Sequence, residues 1–183
     1  MDAASIATTP LKVLFGEALK ASFTDLDISD RGTTGYLADL LARFSTTGDL
    51  WPLGVTGDRL ESLADRLREI QLAWWSDGPH FDPRREVEVR QGIGDYTLFM
   101  AGFFWEWVKS ESVTRCFVRE GKRAYRFVAG YHRAHGRPEA VCFATLATRF
   151  ETCAAVLSYM RDIHLGAEYA PWPHRIFARI ITR

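Results

Sequence analysis

The chain predicts an all-α fold, and three observations lead there. Apolar residues recur three and four positions apart through most of its 183 residues. Clusters of Gly, Pro, Asp and Ser separate those recurrences, and no stretch alternates long enough to build a sheet. The most apolar run, residues 93–108, holds Tyr96, Phe99, Phe103, Phe104, Trp105 and Trp107. Read as a helix, this run is apolar almost all round, and such a helix is buried. The expected architecture is therefore a single-domain bundle of about six helices around a central helix at about residues 91–109.

Each element has its own warrant. Residues 1–9 read as a disordered tail, and residues 10–183 as the helical domain. Pro10 suits the first position of a helix and Thr9 its cap, with Leu11, Leu14, Phe15, Ala18, Leu19 and Phe23 along its inner face. After an Asp- and Gly-containing loop, Tyr36, Leu37, Leu40, Leu41 and Phe44 mark a short second helix. The next loop carries an apolar plug, Leu50-Trp51-Pro52-Leu53. A third helix starts near Asp58 and buries Leu60, Leu63, Leu67, Ile70 and Trp74. Its charged residues Arg59, Glu61, Asp65, Arg66, Arg68 and Glu69 read as a solvated face. Residues 76–90 form a charged connection with two prolines. Beyond the central helix, Ser110 or Ser112 caps a helix that contains Gly121 and runs to about His135. The turn Gly136-Arg137-Pro138 then leads into one long last helix, from Glu139 to about His164. A segment rich in Pro and aromatics, residues 166–174, wraps a chain end over the core or forms a docking surface or lid. A short amphipathic piece with Ile176, Phe177, Ile180 and Ile181 closes the chain.

Charge is neutral in sum but uneven along the chain. Residues 1–100 carry 16 acidic and 10 basic side chains, and residues 101–183 carry 7 and 13. Two readings follow: halves with complementary surfaces, or a basic surface for an anionic partner. Overall neutrality argues against nucleic acid as that partner. The helix after the central one gathers the base. At about 100° per residue, Arg115, Arg119, Lys122, Arg126, Arg133 and Arg137 project within an arc of about 60°. Such a stripe is a solvated face, a partner for the acidic half, or an anion-binding surface. It lacks the interleaved aromatics and the helix-turn-helix pattern of nucleic-acid modules.

A few polar residues fall where the pattern expects none. The central helix has one narrow polar edge, Asp95, Gly102, Glu106 and Lys109. Asp95 either caps the helix N-terminus or belongs to a polar site inside the bundle. Gly102 fits close helix packing. Glu120 sits within the apolar side formed by Val113, Phe117, Ala124, Phe127 and Tyr131. If the helix continues through Gly121, Glu120 is a buried acid with a raised pKa or an arginine partner; if Gly121 breaks it, Glu120 merely lies near a helix end. Asp95, Tyr96, Glu106, Glu120 and His132 are thus the candidates to line a small, mostly apolar ligand pocket.

Catalytic and metal signatures are missing. The chain has no HExxH, no Glu-x-x-His and no Gly-x-Ser-x-Gly. Gly92-Ile93-Gly94 lacks the strand and the third glycine of a dinucleotide loop. Cys116, Cys142 and Cys153 form no CxxC and read as packing thiols in a reducing compartment. No cofactor or metal is expected. The N-terminus shows no signal peptide, and the apolar run falls short of a membrane span of roughly 20 residues, so a cytoplasmic protein is expected.

The run Gly94-Asp95-Tyr96-Thr97-Leu98-Phe99-Met100-Ala101-Gly102-Phe103-Phe104, with Gly121 and Ala124-Tyr125 after it, resembles a segment of uncharacterised helical bacterial proteins. The resemblance covers about a quarter of the chain. It implies a helical fold and a bacterial origin, and brings no activity or catalytic residue with it. The expected function is that of a helical protein that binds or self-associates, the latter as a homodimer. An enzyme or sensor with an apolar ligand between its helices is one alternative, and anionic-partner binding through the basic helix face is another.

Overall fold

A computed structural model describes residues 3–45, 50, 52–54, 57–75, 83–104 and 111–165. They form an all-α domain of seven helices: α1 (Ala3–Asp25), α2 (Thr34–Phe44), α3 (Leu63–Trp75), α4 (Pro83–Phe103), α5 (Glu111–Ala134), α6 (Glu139–Thr148) and α7 (Phe150–Tyr159). The last runs into a π-helical turn, Met160–His164. Among the described residues the only strand-like pairing is an isolated bridge between Leu53 and Arg59.

Helix α4 is the axis of the bundle and packs against α3, α5 and α7. Residues 93–99 are buried without interruption, as the all-round apolar run requires. Phe99 anchors its C-terminal half, stacking on Phe103 at 5.2 Å and meeting Phe44 of α2 edge-on at 5.2 Å. Offset and edge-on pairs like these suit the aromatic quadrupole, so each ring contributes directional as well as apolar contact. Thr97 lies inside the same buried stretch because its hydroxyl donates back to Ile93 O and Gly94 O, at 2.7 and 3.0 Å.

The α4–α5 crossing depends on two glycines. A Cβ on Gly94 would sit 2.6 Å from the Tyr125 ring, and one on Gly121 would overlap the Phe150 ring and the Thr97 hydroxyl. Both backbones approach because those side chains are missing. Gly102, on the far part of α4, likewise faces Leu157 of α7, the close packing expected of it.

Several boundaries differ from the sequence expectation, each for a local reason. Helix α1 begins at Ala3 and runs through Pro10, so Pro10 is interior and Thr9 is no cap. Ala3, Ala4 and Ala7 are strong helix formers and extend the helix over the expected tail. Helix α3 starts at Leu63 rather than near Asp58, because Ser62 and Asp65 build a capping box. Asp65 accepts the Ser62 amide at 2.9 Å, and Ser62 Oγ accepts the Asp65 amide at 3.1 Å. The expected charged connection is helical from Pro83 onward. Pro83 opens α4, Arg90 pairs with Glu86 one turn back at 2.6 Å, and Val87 and Val89 are buried. The central helix thus spans Pro83–Phe103 instead of 91–109.

The single long helix expected from Glu139 is two helices, which bend by 84° between Thr148 and Phe150. The hydroxyls of Thr145 and Thr148 donate to carbonyls one turn back, Val141 O and Ala144 O, a pattern that bends helices. Arg149 takes φ −111° and ψ 28° at the break, and its guanidinium reaches Ser29 O at 2.7 Å. Phe150 is thereby aimed into the core beside Tyr125, with ring centroids 6.3 Å apart. No single described helix is long and apolar enough to cross a membrane; α6 and α7 reach that composition only as this bent pair.

Candidate functional site

Asp95 lies mid-helix in α4, one residue past Gly94, and is 1% exposed. It is not an N-cap, since α4 begins twelve positions earlier at Pro83. Its carboxylate enters the bundle interior and is fully engaged there. Oδ1 accepts from Tyr36 Oη at 2.6 Å and Tyr125 Oη at 2.9 Å, and Oδ2 accepts from Arg43 at 2.9 Å. Tyr36 and Arg43 sit seven residues apart on α2, two turns along one face, and Tyr125 comes from α5. Gln91, one turn before Asp95, donates to Tyr36 Oη at 3.1 Å. Outward, Asp39 receives both Arg43 and Lys12 of α1, at 3.3 and 2.8 Å. A single network therefore ties α1, α2, α4 and α5 together.

The electrostatics match that wiring. Burial opposes the Arg43 charge, but the Asp95 carboxylate outweighs it and holds the guanidinium above its ordinary pKa. Burial first, and the Asp95 charge second, push the Tyr36 and Tyr125 phenols well above the ordinary tyrosine value. Both phenols are thus donors at neutral pH. Three donors from two other helices converge on this carboxylate, so it ties α2 and α5 to α4.

The other ligand-pocket candidates do not converge on it. Tyr96, next along the helix, turns to a different side, where Arg66 stacks over its ring at 4.4 Å. Glu120 is buried in a continuous α5 and pairs with Arg119 at 2.9 Å, so its partner is an arginine of the stripe itself. His132 stacks flat on Phe143, with centroids 5.2 Å apart, and Phe143 in turn meets Tyr36 and Tyr125. Glu106 lies outside the described residues. One open groove of about 370 Å³ lies at the α1–α2 loop, lined by Lys20, Phe23, Asp27, Ile28 and Asp30 among others, and none of the candidates borders it.

His132 Nδ1 is buried without a hydrogen-bond partner among the described residues. Burial chiefly, helped by Arg137 and His135 against Glu139, holds its pKa below the ordinary histidine value. A base depressed in the folded state adds stability that is present above its unfolded pKa and lost as pH falls through the folded one. The urea midpoint is therefore expected to fall between about pH 7 and about pH 5. The variant His132→Phe is expected to lose most of that dependence; an unchanged pH profile would place the acid sensitivity elsewhere.

A second ionic group is buried where the sequence predicts a solvated face. Arg66 and Glu69 are 2% and 1% exposed. Arg66 donates to Leu50 O at 2.5 Å and Gly92 O at 3.4 Å, and burial brings its pKa down to about 10. Glu69 takes Arg85 at 2.8 Å. The apolar plug explains the inversion: Leu50 folds down to 1% exposure and covers this side of α3. Trp51 lies outside the described residues. The Cys142 and Cys153 thiols are both pushed up to about 11, by burial first, which suits packing and not reactivity.

The arginine stripe is the outer face of α5. Arg115, Arg119, Arg126 and Arg133 are exposed, as is Arg123 beside them. Lys122 is half-buried and pairs with Glu151 of α7 at 2.8 Å. Arg137 lies beyond the helix, in the turn that Gly136 makes with φ +64°, and stacks on Tyr131. Phe127, expected on the inner side, is 36% exposed and covered by Arg90 at 4.1 Å. The stripe does not meet Asp95; its partner Arg43 belongs to α2. No protein-family model, curated protein or solved structure matches this chain.

Proposed function

We propose that this chain is a non-enzymatic helical binding protein that works through its surface, and that the α5 arginine face is where it meets an anionic partner. The observation behind this reading is the contrast between inside and outside. The interior carboxylate Asp95 is engaged by three of the protein's own donors. On the outside, Arg123, Arg126 and Arg133 project from one helix face with no ion-pair partner among the described residues. Exposed guanidinium groups on a rigid element offer planar, bidentate donors to carboxylate, sulfate or phosphate.

Retention on immobilised heparin, a generic polyanion, tests this. The protein is expected to bind at low salt and elute as salt rises, and Arg126→Glu/Arg133→Glu is expected to elute much earlier with an unchanged helical circular-dichroism spectrum. Absence of retention at low salt would remove the α5 face as an anion-binding surface.

A further inference from the structure

We infer that the partner on the α5 face is the phosphate backbone of double-stranded nucleic acid, approached most closely at Gly130; this rests on the α5 reading above. Gly130 lies between Arg126 and Arg133, one turn from each and on the same side of the helix. It is exposed, and a Cβ added there would meet nothing within 4 Å. Among the described residues, nothing in the packing asks for a glycine at that place. Glycine in a helix interior costs about 1 kcal/mol relative to alanine. A bare patch of backbone between guanidinium groups does serve a chain of anions lying across the helix, because the phosphates can settle between the arginines without a side chain in the way.

The geometry favours a duplex. Arg119 to Arg133 is a straight row of roughly 21 Å at the helical rise, more than half of one duplex turn. Single strands are held by stacking bases on aromatic rings, and Phe127, the exposed aromatic at the margin of this face, already lies under Arg90. A second copy of the chain is a poorer complement. Six of the sixteen acidic residues of the N-terminal half are engaged by its own helices: Asp95, Glu69 and Glu86 are buried in arginine pairs, Asp39 holds Lys12 and Arg43, and Asp30 and Asp65 cap α2 and α3, which leaves a thinner acidic surface for a second copy than the sequence count suggests. For the same reason the neutral net charge, which argues against nucleic acid in the bare sequence, is a weak guide to the surface. Without a helix-turn-helix, the contact reads backbone and not bases.

Fluorescence anisotropy of the full chain with a labelled duplex of about two helical turns tests this across a salt series. For about four neutralised phosphates, the log–log salt slope is expected near −3 to −4, and equal for two unrelated sequences. Arg126→Glu/Arg133→Glu is expected to reduce the slope by about two. Gly130→Leu is expected to weaken binding severalfold without lowering the melting temperature. Heparin retention that depends on Arg126 and Arg133, with no duplex binding at low salt, would overturn the duplex and leave the α5 reading standing. Duplex binding indifferent to Gly130→Leu and to the charge reversal would overturn the assignment of the face. A salt-labile dimer in sedimentation, dissolved by the charge reversal, would make a second copy the occupant instead.

Discussion

Replacing Asp95 with alanine is expected to destabilise the fold by about 3–5 kcal/mol, the range for removing one partner of a buried ion pair. The loss has three parts. Arg43, whose side chain is 31% exposed, loses its buried partner and is left with Asp39 on the outer side. Tyr36 and Tyr125 keep hydroxyls aimed at a missing acceptor, and a buried donor without a partner costs about 1–3 kcal/mol. Asp95→Asn retains the shape and one acceptor oxygen, so its loss should be smaller. Urea unfolding of the two variants against the parent measures this, and a near-zero change for Asp95→Ala would show that the network is ornamental. The same series extended to alkali carries a second signature. Both phenols are raised in the fold, so their contribution is intact below the unfolded value near pH 10 and declines as pH rises beyond it.

One chemical change made twice on α5 should have opposite signs. Gly121→Ala drives a methyl into Phe150 and Thr97 and is expected to cost roughly 1–3 kcal/mol through overpacking. Gly130→Ala, nine residues on, places the methyl in open space and is expected to stabilise by about 1 kcal/mol through helix propensity. Thermal melts of the two variants compare them directly. If both stabilise, α4 and α5 do not cross as closely as Gly94 and Gly121 imply.

The all-α architecture and the buried central helix were legible because both rest on periodicity, which the 93–108 run shows with little ambiguity. The Asp95 site was legible only by half. A carboxylate on an all-round apolar helix announces that partners exist, but Tyr36 reads as one more apolar-face aromatic and nothing in the pattern singles out Arg43. Their seven-residue spacing on a short helix is the signal that could have joined them to Asp95. Tyr125 offered no such signal, since its place depends on how closely two glycines let α4 and α5 approach. Arg66 and Glu69 escape a reading by periodicity, because periodicity shows which side is charged, not what the preceding loop lays over it. The break at Arg149 escaped for a related reason: the 139–164 pattern continues smoothly, and only the two threonine hydroxyls mark the bend.

The far end of α1 has a consequence for how the chain assembles. Helices α1 and α2 form a hairpin from neighbouring sequence, but its loop end is fastened by residues that arrive much later. His164 of the π-turn grips Asp25 at 2.8 Å across 139 residues, and Arg149 grips Ser29 across 120. Closing rings of that size is entropically unfavourable until the intervening helices have folded. During synthesis this hairpin therefore forms well before the residues that clasp it. Its acidic loop lacks these two clasps until residues 149 and 164 have joined the fold.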